Sequence, residues 1–127
     1  MKKIFAFLAS LLLLAGCSTT SSAKNLDTMA FAKKIAEPHV IVLDVRTPGE
    51  YMSGHIQGAI NIDVETSHFE SEITKLDKSA TYAVYCRSGR RSGVAVETMH
   101  HFGFTKLFNL SSGVNDWLAN GMALVTN

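Results

Sequence analysis

A cysteine followed by three arginines is the part of this chain whose residue types and spacing could do chemistry. The loop after Cys86 contains three arginines and a glycine, in the order Arg87, Ser88, Gly89, Arg90, Arg91. Backbone N–H groups that curl around a sulfur bind anions, a following helix presents its positive end, and guanidinium groups stay charged. All three effects favour thiolate over thiol, so the pKa of Cys86 should lie below its free value of about 8.5. The sequence therefore predicts a nucleophilic thiolate at Cys86.

The position of the last arginine separates two reactions that such a thiolate could perform. Phosphatases of the Cys-x5-Arg type clamp a phosphoryl group with an arginine six places after the cysteine. That place is occupied here by Ser92, and the arginine lies one residue earlier, at Arg91. The shorter loop should enclose a smaller ring, which suits a single sulfur atom better than a tetrahedral phosphate. An arsenate reductase or phosphatase that uses the same cysteine stays a second hypothesis.

Alternating helix and strand patterns position this loop. Strands are predicted at residues 40–45, 59–62, 81–85 and 106–110, with a last edge strand at 123–125. Helical spacing of apolar residues predicts helices at 26–36, 51–55, 65–76, 92–102 and 114–119. Strands separated by helices imply an α/β fold with a central, mostly parallel sheet and helices on both faces. Sites in such sheets form beyond the carboxyl ends of the strands, where residues 81–85 deliver Cys86.

Three signatures in the chain resemble those of rhodaneses, in the order expected of that family. They are the loop from Cys86 to Ser92, residues 44–51 followed by 54–61, and residues 113–117 with Gly121. Ser112 stands where the first glycine of a Gly-Gly pair is usual, at a position that we interpret as structural. The resemblance covers roughly residues 26–125 and implies the rhodanese-like α/β fold.

The resemblance also implies a reaction, which is sulfur transfer from thiosulfate to an acceptor. Cys86 would be the catalytic residue, and the substrate-binding residues would be Arg87, Ser88, Gly89, Arg90 and Arg91. The thiolate attacks the outer sulfur of thiosulfate, releases sulfite and carries the sulfur as a persulfide, which a thiol or cyanide then removes. No metal or organic cofactor is required. A non-catalytic rhodanese-like binding module is the remaining alternative, disfavoured because the cysteine and its arginines are all present.

The first sixteen residues have the pattern of a secretory signal. Two lysines precede an apolar run at residues 4–14, which is too short for a bilayer core that needs about 20 helical residues. The run that ends at Cys17 (Leu14, Ala15, Gly16, Cys17) resembles the lipobox of bacterial lipoproteins. This resemblance implies cleavage before Cys17 and lipidation of that residue, with an ordinary signal peptide as the alternative.

The sequence thus divides into a signal peptide (1–16), a lipidated cysteine with a flexible Ser/Thr-rich tether (17–25), and a rhodanese domain (26–127). We expect an exported lipoprotein, anchored in a membrane through Cys17 and facing the periplasm or the cell exterior. A domain of this size is expected to be a monomer.

The remaining composition argues against other partners. Without its signal the chain has 10 basic and 11 acidic residues, so no basic surplus indicates nucleic acid. If Cys17 is lipidated, Cys86 is the only free thiol, and a disulfide framework is excluded. His100 and His101 are adjacent on a predicted helix and face different ways, so they do not indicate a metal site.

Other notable residues are interpreted as structural. We expect Arg46 to hold the upstream turn by pairing with Asp44 or Glu50, rather than to bind a ligand. We expect His55 to fix its loop and Trp117 to anchor the core.

Overall fold

Five parallel strands form the centre of the computed structural model, which describes residues 23–127. The signal peptide, Cys17 and the first part of the tether lie outside the described residues. The strands are β1 (Ala23–Leu26), β2 (Val40–Asp44), β3 (Ile60–Asn61), β4 (Thr81–Tyr85) and β5 (Leu107–Leu110). They lie side by side in the order β1-β5-β4-β2-β3, and every pairing between neighbours is parallel. The predicted parallel α/β sheet is confirmed.

Helices cover both faces of this sheet, as predicted. They are α1 (Thr28–Ile35), α2 (Pro48–Ser53), α3 (Phe69–Ile73), α4 (Arg90–His101) and α5 (Gly113–Ala119). Alternate residues of β4 point to opposite faces. Tyr82 and Val84 join a cluster with Met99 of α4, whereas Ala83 and Tyr85 join a cluster with α1 and α5. The strand that precedes Cys86 is therefore buried on both sides, which holds its carboxyl end in place.

The first strand was not predicted. Residues 23–25 were assigned to the tether, but Ala23–Leu26 pairs in parallel with Leu107–Leu110. Lys24 and Asn25 are exposed on this edge strand, so it has neither the apolar alternation nor the β-branched run of a buried strand. The tether prediction is wrong for residues 23–25, and the folded domain includes Ala23.

The predicted last strand at residues 123–125 is reduced to a single bridge. Val125 and His55 exchange two antiparallel backbone hydrogen bonds, of 2.9 and 2.8 Å. This bridge ties the end of the chain to the loop after α2. Within residues 23–127, no helix has the length and apolar character needed to cross a membrane.

Candidate active site

Cys86 directly follows β4, and its side chain is buried. The backbone N–H of Gly89 donates to its Sγ at 3.1 Å, and the hydroxyl of Ser92 lies 3.3 Å from the same atom. Burial alone would raise the pKa of Cys86. The side chain and backbone of Ser92 and the backbone N–H groups of Gly89 and Ser88 outweigh that effect, and the pKa is lowered. The shift has the direction that the sequence predicted.

A glycine allows the loop to turn directly into α4. Gly89 has φ of +100° and is the residue that precedes the helix, so α4 begins at Arg90, two residues earlier than predicted. A Cβ atom at Gly89 would also collide with the carbonyl oxygen of Ser111, which packs against the loop. The early helix start brings the amino end of α4 next to the sulfur, where its partial positive charge favours the thiolate.

The closing helix α5 supports the same loop from the other side. The N–H of Val114 donates to the Cys86 carbonyl at 2.9 Å, and that of Asn115 donates to the Arg87 carbonyl at 3.1 Å. Gly113 has φ of +70°, and a Cβ there would collide with the Arg87 carbonyl and with the N–H of Ser88. The carbonyls of Cys86 and Arg87 thus accept from α5, while the N–H groups of Ser88 and Gly89 act on Sγ.

The serine at position 112 replaces a glycine that this geometry does not need. Ser112 has φ of −96°, an ordinary conformation for any residue, and its hydroxyl donates to Asp116 at 3.2 Å. The positive φ falls on Gly113 instead. The departure from the usual Gly-Gly pair therefore leaves the loop support intact.

Arg91, the last residue of the loop, is already engaged by an acidic side chain. Its Nη1 and Nη2 bind Oε1 and Oε2 of Glu50 at 2.7 and 2.9 Å. Glu50 lies in the first turn of α2, which Thr47 caps at 3.3 Å. The pair lowers the pKa of Glu50 to about 2 and raises that of Arg91. The guanidinium also interacts electrostatically with Cys86, so its fixed positive charge favours the thiolate.

The other two arginines of the loop are exposed. Neither Arg87 nor Arg90 forms an ion pair with another residue of the range 23–127, and Ser88 beside them is exposed as well. The structure therefore brings together all six residues of the predicted loop but gives its arginines different surroundings. Arg91 is fixed by α2, whereas Arg87 and Arg90 extend to solvent next to the buried sulfur.

Residues 27–120, which include this loop and both of its supports, match the rhodanese-like domain family. The chain belongs to this family. Residues 1–18 match the prokaryotic membrane lipoprotein lipid attachment site, a range that includes Cys17. The two resemblances noted in the sequence are confirmed.

Curated relatives are similar to this rhodanese-like chain over much of its length. YrkF of Bacillus subtilis is 34% identical over 98 residues, which cover 76% of this chain but only 52% of that protein. Thiosulfate sulfurtransferase PspE of Escherichia coli is 39% identical over 74 residues, 58% of this chain and 70% of the relative. Thiosulfate:glutathione sulfurtransferase of Saccharomyces cerevisiae is 28% identical over 120 residues, 82% of this chain and 86% of the relative. The chain thus spans about half of the first relative and most of the other two, and the set supports sulfur transfer in general.

Solved structures share the rhodanese-like fold. A rhodanese-related protein from Thermoplasma volcanium superposes with a TM-score of 0.72 at 29% identity, over 82% of this chain and 99% of that one. The rhodanese-like domain of Alr3790 from Anabaena gives 0.73 at 26% identity, over 81% and 79%. The predicted rhodanese-like fold is therefore confirmed.

The rhodanese-like domain also contains a buried ion pair behind the loop. Arg46 binds Asp44 through Nε and Nη2, at 2.7 Å for the shortest contact, and its Nη2 donates to the Gly54 carbonyl at 2.7 Å. The Tyr85 hydroxyl donates to the same carboxylate at 2.7 Å. Burial and the Asp44 charge raise the pKa of Tyr85. The structural interpretation of Arg46 is confirmed, with Asp44 rather than Glu50 as its partner.

His55 and Trp117 have the structural roles that the sequence predicted. The His55 ring stacks on Tyr51 with centroids 3.8 Å apart, and its Nδ1 lies 3.0 Å from the Tyr51 carbonyl. Trp117 is buried, and its indole N–H donates to the Ala123 carbonyl at 3.0 Å. His100 and His101 are exposed, and residues 23–127 contain no cluster of three metal-ligating side chains.

Sequence reasoning missed the residues that shape the loop from a distance. The sequence indicates Glu50 only as a partner for Arg46, although Thr47 and Glu50 have the spacing of a capping box that starts a helix. The position of Ser92 indicates the length of the loop, but no sequence pattern predicts its hydrogen bond to Cys86. The backbone donors of α5 carry no sequence signal beyond Gly113.

Proposed function

We propose that this domain transfers a sulfane sulfur from thiosulfate, or a related donor, to a thiophilic acceptor through a persulfide on Cys86. The observation that carries the proposal is the buried Cys86 sulfur, held by the Gly89 N–H and the Ser92 hydroxyl within a loop that ends at Arg91. Such a site supplies hydrogen-bond donors for the negative charge of one added sulfur atom.

The reaction has two displacement steps and no net change in charge at the cysteine. The Cys86 thiolate attacks the outer sulfur of thiosulfate, a new S–S bond forms, and the original S–S bond breaks with its electron pair leaving on sulfite. An acceptor thiolate or cyanide then attacks the outer sulfur of the persulfide and releases the Cys86 thiolate. A thiolate that forms before the substrate binds needs no general base, and the lowered pKa of Cys86 favours such a thiolate.

The loop arginines have different roles in this proposal. Arg87 and Arg90 are exposed and carry the charge that attracts a dianionic donor, with Ser88 and Gly89 lining the same approach. Arg91 acts from its ion pair with Glu50, where it stabilises the loop and the thiolate. A phosphatase of the Cys-x5-Arg type needs its arginine on the phosphoryl group. Here Ser92 takes that place and contacts the sulfur.

Intact mass spectrometry after incubation with thiosulfate tests the reaction. The protein should gain the mass of one sulfur atom, lose it on addition of cyanide or a thiol, and show no gain as Cys86→Ser. Ser88→Ala is a matched control in the same loop, because its hydroxyl makes no hydrogen bond with residues 23–127, and it should still load. An unchanged mass together with turnover of arsenate or a phosphate ester would contradict the proposal.

We further propose that Cys17 carries a lipid that anchors the exported domain to a membrane, on the periplasmic or outer side. The match of residues 1–18 to the lipid attachment site supports this location. Metabolic labelling with a fatty acid should mark the protein but not its Cys17→Ser variant. Absence of label from the unaltered protein would contradict the proposed anchor, but it would not affect the proposed chemistry at Cys86.

A further inference from the structure

Lysines and arginines lie at opposite edges of the sheet. All six lysines of residues 23–127 lie in β1 or in the segments that lead into β2, β4 and β5: Lys24, Lys33, Lys34, Lys75, Lys78 and Lys106. All four arginines follow the carboxyl ends of β2 or β4: Arg46, Arg87, Arg90 and Arg91. We call the first set the lysine edge. The net charge of the chain is close to zero and conceals this separation.

Three residues of the lysine edge line one open depression of about 310 Å³. They are Lys24 on β1, Lys34 at the end of α1, and Lys106 directly before β5. Lys34 is paired with Glu37 at 2.9 Å, and its Nζ lies 4.4 Å from the centroid of the Phe108 ring. Lys24 and Lys106 are exposed and form no ion pair with residues 23–127. The depression thus presents at least two ammonium groups to solvent.

Acidic residues offset only part of this charge. Glu37 pairs with Lys34, Glu72 pairs with Lys75 at 2.9 Å, and Asp77 interacts with Lys106 at longer range. Lys24, Lys33 and Lys78 are exposed and form no ion pair with residues 23–127, so their ammonium groups remain available to anions. Such a surface attracts anionic groups that lie within about one Debye length, roughly 8 Å at physiological salt.

The chain enters the folded domain at this same edge. Ala23 pairs with Leu107, and Lys24 pairs with Phe108, so the start of β1 lies beside the start of β5. Only residues 18–22 separate Ala23 from Cys17. A fully extended stretch of that length reaches at most about 20 Å. A lipid on Cys17 would therefore keep the lysine edge close to the membrane.

We propose that the lysine edge is the membrane-facing surface of the domain and contacts anionic phospholipid headgroups. The inference rests on the proposed lipid at Cys17 and adds a defined orientation to it. Basic residues near a membrane surface attract anionic lipids, so a basic patch beside a lipid anchor orients the anchored domain. Since β4 is five residues long, the Cys86 loop lies about 16 Å further from the surface and faces the aqueous side.

Lipidated protein on vesicles can test this orientation. The mature protein is purified from membranes as the Cys86→Ser variant. Because the lipid blocks Cys17, the fluorophore then attaches to one introduced cysteine. Labels are placed at the lysine edge (Thr105→Cys) or in the loop (Ser88→Cys), which are both exposed. The vesicles contain phosphatidylcholine with or without phosphatidylglycerol, and a headgroup-nitroxide lipid quenches fluorophores near the surface.

On phosphatidylglycerol vesicles, the label at residue 105 should be quenched several-fold more than the label at residue 88. Lys24→Gln combined with Lys106→Gln should remove most of that difference, as should high salt or vesicles of phosphatidylcholine alone. Arg87→Gln combined with Arg90→Gln removes the same charge from the opposite edge and should leave the difference in place.

Equal quenching of both labels, or a difference that survives the double lysine substitution, would overturn the orientation. A purified protein whose mass shows no lipid would overturn it together with the anchor. The sulfur-transfer proposal is judged separately by sulfur loading of the lipidated protein with Cys86 intact, which the double lysine substitution should not change.

Discussion

Glu50 on α2 binds both terminal nitrogens of Arg91 on α4, at 2.7 and 2.9 Å. The contact joins two helices on opposite faces of the sheet at its carboxyl edge, next to the Cys86 loop. It also distinguishes the three loop arginines, because Arg91 is paired with Glu50 whereas Arg87 and Arg90 are exposed. Four predictions follow from this arrangement and its neighbours.

Glu50→Gln should lower stability at neutral pH by about 1 kcal/mol, because the substitution weakens a two-point ionic contact that is partly screened by solvent. The folded-state pKa of Glu50 is about 2, below its usual value of 4.5. The pair therefore stabilises the fold fully above about pH 4.5, and this contribution is lost as the pH falls towards 2. Denaturant unfolding across this pH range measures the effect. The free energy of unfolding of the unaltered protein should approach that of Glu50→Gln as the pH falls.

Glu97→Gln is the matched control for that measurement. Glu97 is exposed on α4, and its side chain forms no ion pair with residues 23–127. Its substitution should leave the stability curve parallel to that of the unaltered protein. An equal effect of both substitutions would show that net charge, rather than the contact with Arg91, is responsible.

Ser92→Ala should raise the pKa of Cys86, because the hydroxyl 3.3 Å from Sγ favours the thiolate. A lost hydrogen bond of about 1 kcal/mol corresponds to roughly a fivefold smaller thiolate fraction at a pH below the pKa. The rate of alkylation by iodoacetamide, followed against pH, measures this shift directly. Ser88→Ala should leave the profile in place, since only the backbone of Ser88 acts on the sulfur. Identical profiles for Ser92→Ala and the unaltered protein would contradict the assignment.

Gly113→Ala should destabilise the domain and impair sulfur loading, because the new Cβ would collide with the backbone of Arg87 and Ser88. Gly121→Ala provides the matched control. Gly121 has a similar positive φ of +78°, but a Cβ there meets open space. Both variants should lose about 1 kcal/mol to backbone strain, and only Gly113→Ala should lose clearly more and load poorly. Thermal unfolding and intact mass provide the two measurements, and equal losses would assign the effect to strain alone.

Arg87→Gln and Arg90→Gln should each lower kcat/KM for thiosulfate about fivefold, with little effect on stability. Their exposed guanidinium groups act on the donor through long-range attraction, so added salt should reduce kcat/KM of the unaltered protein and flatten these differences. Steady-state kinetics at several salt concentrations provide the measurement. A salt-independent rate would indicate that the donor is recognised by contacts other than charge.

The sequence predicted those features of the fold and the site that depend on neighbouring residues. The apolar run at residues 81–85 placed β4 at its observed bounds, and the glycine and arginines after Cys86 indicated an anion-binding loop. The predicted lowering of the Cys86 pKa is confirmed, and its main causes are hydrogen bonds from Ser92, Gly89 and Ser88. These features depend on neighbours in the chain, which sequence reasoning can use.

Contacts between distant segments could not be predicted in the same way. Glu50 and Arg91 are 41 residues apart, and many exposed charges have similar spacings, so no pattern singles out this pair. The strand β1 was missed because its position depends on pairing with β5 rather than on its own residues. Likewise, the N–H groups of Val114 and Asn115 reach the loop only once α5 has packed beside it.

The loop around Cys86 is complete only in the folded domain, and the hydrogen bonds that lower the pKa of Cys86 exist only there. The loop carbonyls are bound by residues 114 and 115, near the end of the chain. An unfolded chain that crosses a membrane would therefore carry an ordinary thiol, protonated at neutral pH and slow to react with oxidants. If the proposed export precedes folding, the activated sulfur first exists on the far side of the membrane, and folding determines the compartment in which the chemistry can begin.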